Sequence, residues 1–221
     1  MNVAWHKSHR IPPRATLEAR VVWHTRHAKA CGCRPMPRLK DRLAPGLRVM
    51  FVGINPGVRS ALTGHHFAGF SNRFWKLLSQ SRLVPEPVTY VDDDRLPEWG
   101  FGITNVVARA TPGINELKPE EYAAGRLRLR AKVRRYHPDI VAFVGITVYR
   151  AMFPERSGPV TMGPQLERLG EAAVFVLPNT SGRNAHFSFA QMLAAFDSLR
   201  RHVDSSSRRL SRRRVRLGGR G

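Results

Sequence analysis

Cysteine, acid and long apolar runs are what this chain has little of, and each shortage excludes a class of protein. Only two cysteines occur, Cys31 and Cys33, as Cys-Gly-Cys. A four-cysteine iron–sulfur or zinc site is excluded because its ligands are missing. Cysteines two residues apart also rarely reach disulfide geometry without strain. His24 and His27 lie near enough in sequence to make a Cys/His metal clip conceivable, but the spacing matches no standard zinc pattern. No metal, flavin or nucleotide cofactor is expected. No apolar run approaches the ~20 residues of a membrane span, and the N-terminus lacks the hydrophobic segment of a secretory signal. The expectation is a cytoplasmic protein, associated with the nucleoid if its source is bacterial. There is no Gly-x-x-x-x-Gly-Lys phosphate loop, no dinucleotide fingerprint and no serine in a nucleophile elbow. Nucleotide hydrolysis and nicotinamide chemistry lose support accordingly.

The shortage of acid leaves 37 Lys and Arg against 16 Asp and Glu, a formal charge of +21 over 221 residues. That charge is uneven: residues 1–49 carry +9, residues 200–221 carry +8 and the long middle only +4. Cationic ends suit a polyphosphate partner, because each neutralised phosphate releases a counterion. A solvated tail without a specific partner is the alternative reading of the Arg-rich C-terminus. The length allows one well-buried domain. The expected division is a basic, loosely ordered arm over residues 1–45, a folded domain over 46–202 and an Arg-rich disordered tail over 203–221.

Val49-Met50-Phe51-Val52 is an apolar run bounded by Pro45-Gly46 and Gly53, which reads as a buried strand over about 47–54. A short helix over 36–43 leads into it. Some fifteen residues of loop follow, then a helix with Phe74, Leu77 and Leu78 on one face and Ser71 or Asn72 as its N-cap. Residues 85–99 are turn-rich. Asp92, Asp93 and Asp94 read as solvated loop, since neighbouring residues do not converge on one metal. Further strands are expected near 101–107, 139–144 and 172–177. Helices are expected from Pro119 to about Pro138, near 146–153 and near 188–202. The basic residues of the helix after Pro119 read as a solvent face before a DNA surface. This alternation predicts an α/β fold with a parallel four-stranded sheet and helices on both faces. The loops leaving the first, second and fourth strands then open on one edge, where ligands sit in such sheets.

Those loops hold the chemically unusual residues: Asn55, His66 and Phe67 in the first, Asn105 and Thr111 at the second, and Asn179 to His186 in the last. Singly each is weak. An asparagine before proline is a common turn residue, and a lone aromatic usually packs.

Taken together they carry a resemblance. The motifs are Gly-Ile-Asn-Pro-Gly (53–57), Gly-His-His-Phe (64–67), Asn-Arg-Phe-Trp-Lys (72–76), Gly-Ile-Thr-Asn (102–105), Arg-Ala-Thr-Pro-Gly (109–113), Tyr-His-Pro-Asp-Ile-Val-Ala-Phe-Val-Gly (136–145) and Val-Leu-Pro-Asn-Thr-Ser-Gly-Arg (176–183). In unbroken order over roughly 47–200, this set resembles the mismatch-specific uracil/thymine-DNA glycosylases of the uracil-DNA glycosylase superfamily. The resemblance implies a three-layer α/β/α sandwich with a central, mainly parallel sheet. It also implies hydrolysis of the N-glycosidic bond of uracil, or thymine, opposite guanine, by flipping the nucleotide out of the duplex.

By the family's pattern Asn55 is the catalytic position, holding a water against C1′. Gly53, Ile54, Ser60, His66, Phe67, Asn105 and Thr111 form the base pocket, with Phe67 under the flipped base and Asn105 reading its edge. Asn179, Ser181, Gly182, Arg183 and Asn184 form the loop that enters the DNA, with Arg183 as the wedge. Backbone N–H groups around 54–57 and 66–67 are expected to stabilise the departing base. Arg59, Arg73 and Lys76 are candidate phosphate contacts, though plain surface charge explains them equally well. Asn105 and Gly-His-His lean toward the thymine-acting branch; the bacterial uracil branch commonly has lysine at the first and leucine at Arg183. Ser60 stands where a small apolar residue is frequent.

The implied partner is double-stranded DNA bearing a mismatched or deaminated base, bound by a monomer with no membrane contact. The implied product is an abasic site, since no lysine is evidently placed for strand cleavage. The alternatives are a broader deaminated-base glycosylase that also takes single strands or hypoxanthine, a catalytically silent lesion-binding relative, and a flavodoxin-like binding protein of similar strand order.

Overall fold

The computed structural model describes residues 1–218 apart from 32 and 34, with side chains as far as residue 205. The short apolar runs become strands: β1 (Val49–Gly53), β2 (Phe101–Asn105), β3 (Ile140–Val144), β4 (Gly163–Leu169) and β5 (Ala172–Leu177). The helices are α1 (Val3–Ser8), α2 (Leu17–Ala30), α3 (Val58–Thr63), α4 (Phe74–Gln80), α5 (Pro119–Tyr136), α6 (Ile146–Met152) and α7 (Phe189–Gly218).

One sheet runs in the order β2-β1-β3-β5-β4. β1 pairs in parallel with β2 and with β3, and β3 pairs in parallel with β5. Alternate residues of these strands enter opposite layers, as the twofold period of a strand requires. Val49 and Phe51 of β1, with Ile140, Ala142 and Val144 of β3, pack with α4 and α7. Met50 and Val52, with Val141 and Phe143, pack with α5 and α6. Burial on both faces is why these runs are continuously apolar. The result is the expected three-layer α/β sandwich, and the exits of β1, β2, β3 and β5 share one edge.

Several elements depart from the sequence reading. The sheet has five strands, not four. β4 pairs antiparallel with β5 at the sheet's edge, and its middle alternates between exposed and half-buried residues. An edge strand of sequence Gly-Pro-Gln-Leu-Glu-Arg-Leu has no apolar run to announce it. The helix expected over 36–43 is not formed. Arg42 instead bridges Ile103, with N–H to O distances of 2.9 and 2.8 Å, satisfying the otherwise open edge of β2. The loop after β1 contains α3, closed by Gly64 in the left-handed conformation. Residues Tyr90–Trp99 form a run of 3₁₀ turns.

Residues 1–45, expected as a loose arm, contain α1 and α2, whose caps are Asn2 and Thr16. The backbone of α7 runs past the expected end near 202 to Gly218. The expected tail falls mostly on side chains beyond 205 and on residues 219–221, which lie outside the described residues. Among the described residues, no helix is long and apolar enough to cross a membrane.

Candidate active site

The three loops at the shared edge are stitched into one surface by backbone hydrogen bonds. Val106 and Val107 donate to Gly53 O and Ile54 O at 2.9 and 2.8 Å, Thr111 donates to Pro56 O at 3.1 Å, and Arg73 donates to Thr180 O at 2.9 Å. The residues expected after β1, after β2 and after β5 therefore do come together.

Asn55 sits at the exit of β1 with its amide orientation fixed. Its Nδ2 donates to Arg109 O at 3.1 Å, to Pro56 O at 3.1 Å and to Thr111 Oγ1 at 2.8 Å. Two of these partners are carbonyls, which only accept, so the nitrogen must face them. Thr111 Oγ1 spends its own proton on Gly113 O at 2.7 Å, and so accepts from Asn55. The Asn55 carbonyl oxygen makes no hydrogen bond among the described residues and remains available as an acceptor. Arg109 is itself anchored: its guanidinium meets Glu121 through two bonds of 2.8 Å and reaches Glu116 O at 2.6 Å. The Arg109 hydrogen bonds hold the Glu121 carboxyl down at about 2, so this clamp stays charged at neutral pH.

Asn105 ends β2 directly opposite Gly53 in the parallel register. A Cβ on residue 53 would stand 2.6 Å from Asn105 Oδ1 and 3.6 Å from the Phe67 ring, so only glycine leaves room for both side chains. The orientation of Asn105 follows from His66. His66 Nε2 lies 2.9 Å from Lys40 O, which makes it the protonated nitrogen and leaves Nδ1 as an acceptor. Asn105 Nδ2 faces that Nδ1 in a long contact of 3.5 Å, and its Oδ1 points toward Gly53. Burial lowers the His66 pKa from its ordinary value, outweighing the opposing pull of Lys40 O and of Asp93. His66 is therefore neutral at pH 7. Phe67 has a left-handed backbone, φ 50, and its half-buried ring stacks on Phe74 at 4.2 Å. Ser60 is buried, and its hydroxyl accepts the Ala68 N–H at 3.2 Å. It braces the loop under Phe67. Ile54 packs into the α5/α6 layer.

Asp93 is a residue whose importance the sequence reading missed. Read as part of a solvated acidic run, it is instead fully buried. It takes Arg42 Nε and His65 Nδ1 at 3.0 Å each and the His66 N–H at 2.8 Å. The neighbours in the run do differ: Asp92 accepts from Thr89 N–H and Oγ1, and Asp94 is exposed. Because the His66 N–H is bound to Asp93, it is not available to a departing base.

After β5 the chain is held mainly by itself. Asn179 Oδ1 accepts from Ser181 N, Asn184 N donates to Ser181 O, and Asn184 Nδ2 donates to Asn179 O at 2.7 Å. Gly182 passes so close to Ser71 that a Cβ would clash with its hydroxyl. Thr180, also missed, is buried and bonds Asn72 Oδ1 at 2.9 Å. That same oxygen accepts from Phe74 N at the start of α4. Arg183 is exposed, and its guanidinium makes no hydrogen bond or ion pair among the described residues. Of the cations expected to meet phosphate, Lys76 is exposed, with its ammonium 5.0 Å from the Phe189 ring centre. Arg73 is half-buried and reaches Met192 Sδ at 3.8 Å. Arg59 lies against the arm, 3.4 Å from Glu18, with only 18 % of its side chain accessible.

Residues 41–200 match the sequence model of the uracil DNA glycosylase superfamily. The chain belongs to that superfamily. Within it, the chain is 42 % identical over 156 residues to a G/U mismatch-specific uracil DNA glycosylase of Schizosaccharomyces pombe, covering 67 % of this chain and 48 % of that protein. It thus spans about half the length of this relative. The fold is similar to the solution NMR structure of a candidate uracil DNA glycosylase from Methanosarcina acetivorans, with a TM-score of 0.51 and 16 % identity, over 77 % of this chain and 99 % of that one. The matched residues take in β1 to β5 and all three loops of the candidate site, and leave out α1 and α2.

Proposed function

We propose that the chain is a monofunctional DNA glycosylase that hydrolyses the N-glycosidic bond of uracil mispaired with guanine in double-stranded DNA. The observation that carries this is the Asn55 amide, clamped on its nitrogen side and open at Oδ1. An oxygen so fixed can accept a hydrogen bond from a water and so aim that water's lone pair at C1′. An amide is too weak a base to take that proton, so its contribution is orientation. Water oxygen bonds to C1′ as the C1′–N1 bond breaks, the bonding pair leaves with the base, and the water's second proton passes to solvent. The base departs as an anion that N–H donors can stabilise, with the backbone N–H groups of Ile54, Asn55, Gly57 and Phe67 as the candidates that remain. Thymine, a poorer leaving group, reacts more slowly.

Selection of the base falls to Asn105. Its Oδ1 accepts a hydrogen bond from N3–H, which uracil and thymine possess and cytosine lacks. A cytosine in the pocket would set two acceptors against each other, and buried acceptors left unpaired are costly. Phe67 offers the stacking surface and Arg183 the wedge, while Lys76 and Arg73 stand near phosphate. The S. pombe relative's specificity supports the choice of uracil opposite guanine. The test is an assay on end-labelled G·U, G·T, A·U and single-stranded U oligonucleotides, with hot alkali revealing abasic sites and Asn55→Ala as the control. Cleavage at G·U above the control is expected. Salt-sensitive binding without cleavage of any substrate would replace this reading with that of a silent lesion-binding protein.

A further inference from the structure

The arm folds with almost no apolar burial. α1 buries no residue and α2 buries only His27. A segment of fewer than about 40 residues ordinarily needs a disulfide, a metal or a partner to hold its shape. At the centre of this one lies a cluster of donor atoms. His6 comes from α1, His27 from the last turn of α2, Cys31 from its C-cap and Cys33 from just beyond. One nitrogen or sulfur of each lies within 4.8 Å of all the others. Both His6 Nε2 and His27 Nε2 stand 3.3 Å from Cys33 Sγ. Tetrahedral zinc, bonded at about 2.3 Å to sulfur and about 2.0–2.1 Å to nitrogen, sets its ligand atoms roughly 3.3–3.8 Å apart.

We propose that His6, His27, Cys31 and Cys33 form a structural zinc site that locks α1 onto the C-terminal end of α2. The spacing works because His27 and Cys31 are four residues apart, on one face of a helix, while Cys33, two residues from Cys31, is too near it for an easy disulfide. Two imidazoles and two thiolates in tetrahedral array select zinc among the common divalent ions. The surroundings fit a ligand shell. Trp23 stacks on the His27 ring at 4.8 Å and 11°, and Trp5 stands against both imidazoles. Asn2 N–H donates to Cys31 Sγ at 3.0 Å, as second-layer donors do to metal-bound thiolates. Metal binding in such a unit supplies folding free energy. Through the Glu18–Arg59 pair between α2 and α3, it braces the arm beside the helix that follows Asn55. The proposal does not depend on the glycosylase reading.

The test uses the full chain, purified under reducing conditions. About one zinc per chain is expected by elemental analysis after gel filtration, and cobalt added to the metal-free chain should give the intense visible bands of a tetrahedral thiolate complex. Both signals should be lost in Cys31→Ser/Cys33→Ser and kept in His24→Ala. Chelation should expose residues 1–35 to protease while leaving the sheet domain intact. A reduced chain that takes up neither metal, or a double-serine variant that retains them equally, would overturn the proposal.

Discussion

The exits of β1 and β2 hold their side chains quite differently from the exit of β5. In the first region the key polar groups are held chiefly by partners distant in sequence: Asn55 by Arg109 O and Thr111, the His66 N–H by Asp93, the His66 ring by Lys40 O. In the second, Thr180 is tied to Asn72 and Arg73, but Asn179, Ser181 and Asn184 bond to one another within five residues, and Arg183 stands exposed. Orienting a water demands a group that cannot turn, whereas filling a gap in a duplex demands a side chain that can reach. Bonds to distant partners suit the first task, and a short turn bonded largely to itself suits the second.

This contrast predicts that damage to the first region removes turnover while damage to the second removes duplex discrimination. Asn55→Ala should show the largest effect, lowering single-turnover cleavage of G·U by about 10³-fold while mismatch binding persists. Equal loss of binding and cleavage would make Asn55 structural. Next in size, Thr111→Val removes the acceptor for Asn55 Nδ2 and should cost about 10–100-fold at saturating enzyme. Thr111→Ser, which keeps the hydroxyl, should recover most of that. Equal rates for the valine and serine variants would remove the positioning role.

How much of this could be read in the sequence followed the same division. β1, β2, β3 and β5 were legible because strands buried on both faces are written as apolar runs, and Asn55 was legible because it follows such a run within a recognisable motif. β4 was not, since an edge strand needs no apolar stripe. Asp93 was hidden between two more accessible aspartates, and only the fold reveals which of the three turns inward. His6 was hidden by distance: no spacing rule links it to Cys33, 27 residues on. The caps of α2, Thr16 with Glu18 in the first turn, were a readable helix signal that the basic composition of the arm obscured.

A smaller effect is expected at the exit of β5. Arg183→Ala should slow cleavage of G·U duplex by about tenfold and leave single-stranded uracil nearly unchanged, because only the duplex has a gap to fill when the base flips. Kinetics on the two substrates side by side check this. Equal slowing on both would assign Arg183 to phosphate contact or to folding, and the two regions would no longer differ in kind.

The subtlest prediction concerns proton linkage in the first region. Burial depresses the His66 pKa in the folded state below its ordinary 6.5. The unfolded chain therefore takes up a proton near pH 6.5 that the folded chain resists. His66 contributes nothing to the pH dependence of stability above that range, and stability falls as the pH drops below it toward the depressed native value. The groups facing the ring have opposed influences: Asp93 and Asp41 favour the proton, Arg42 opposes it, and Lys40 O holds Nε2–H. Protonation would also turn Nδ1 from acceptor to donor against Asn105 Nδ2, and so disturb the amide proposed to read the base. Urea midpoints at about pH 7.5 and about pH 5.5 should therefore fall further for the native chain than for His66→Gln, which can still donate to Lys40 O. Identical falls would mean that other groups carry the acid sensitivity and that His66 serves only to pack.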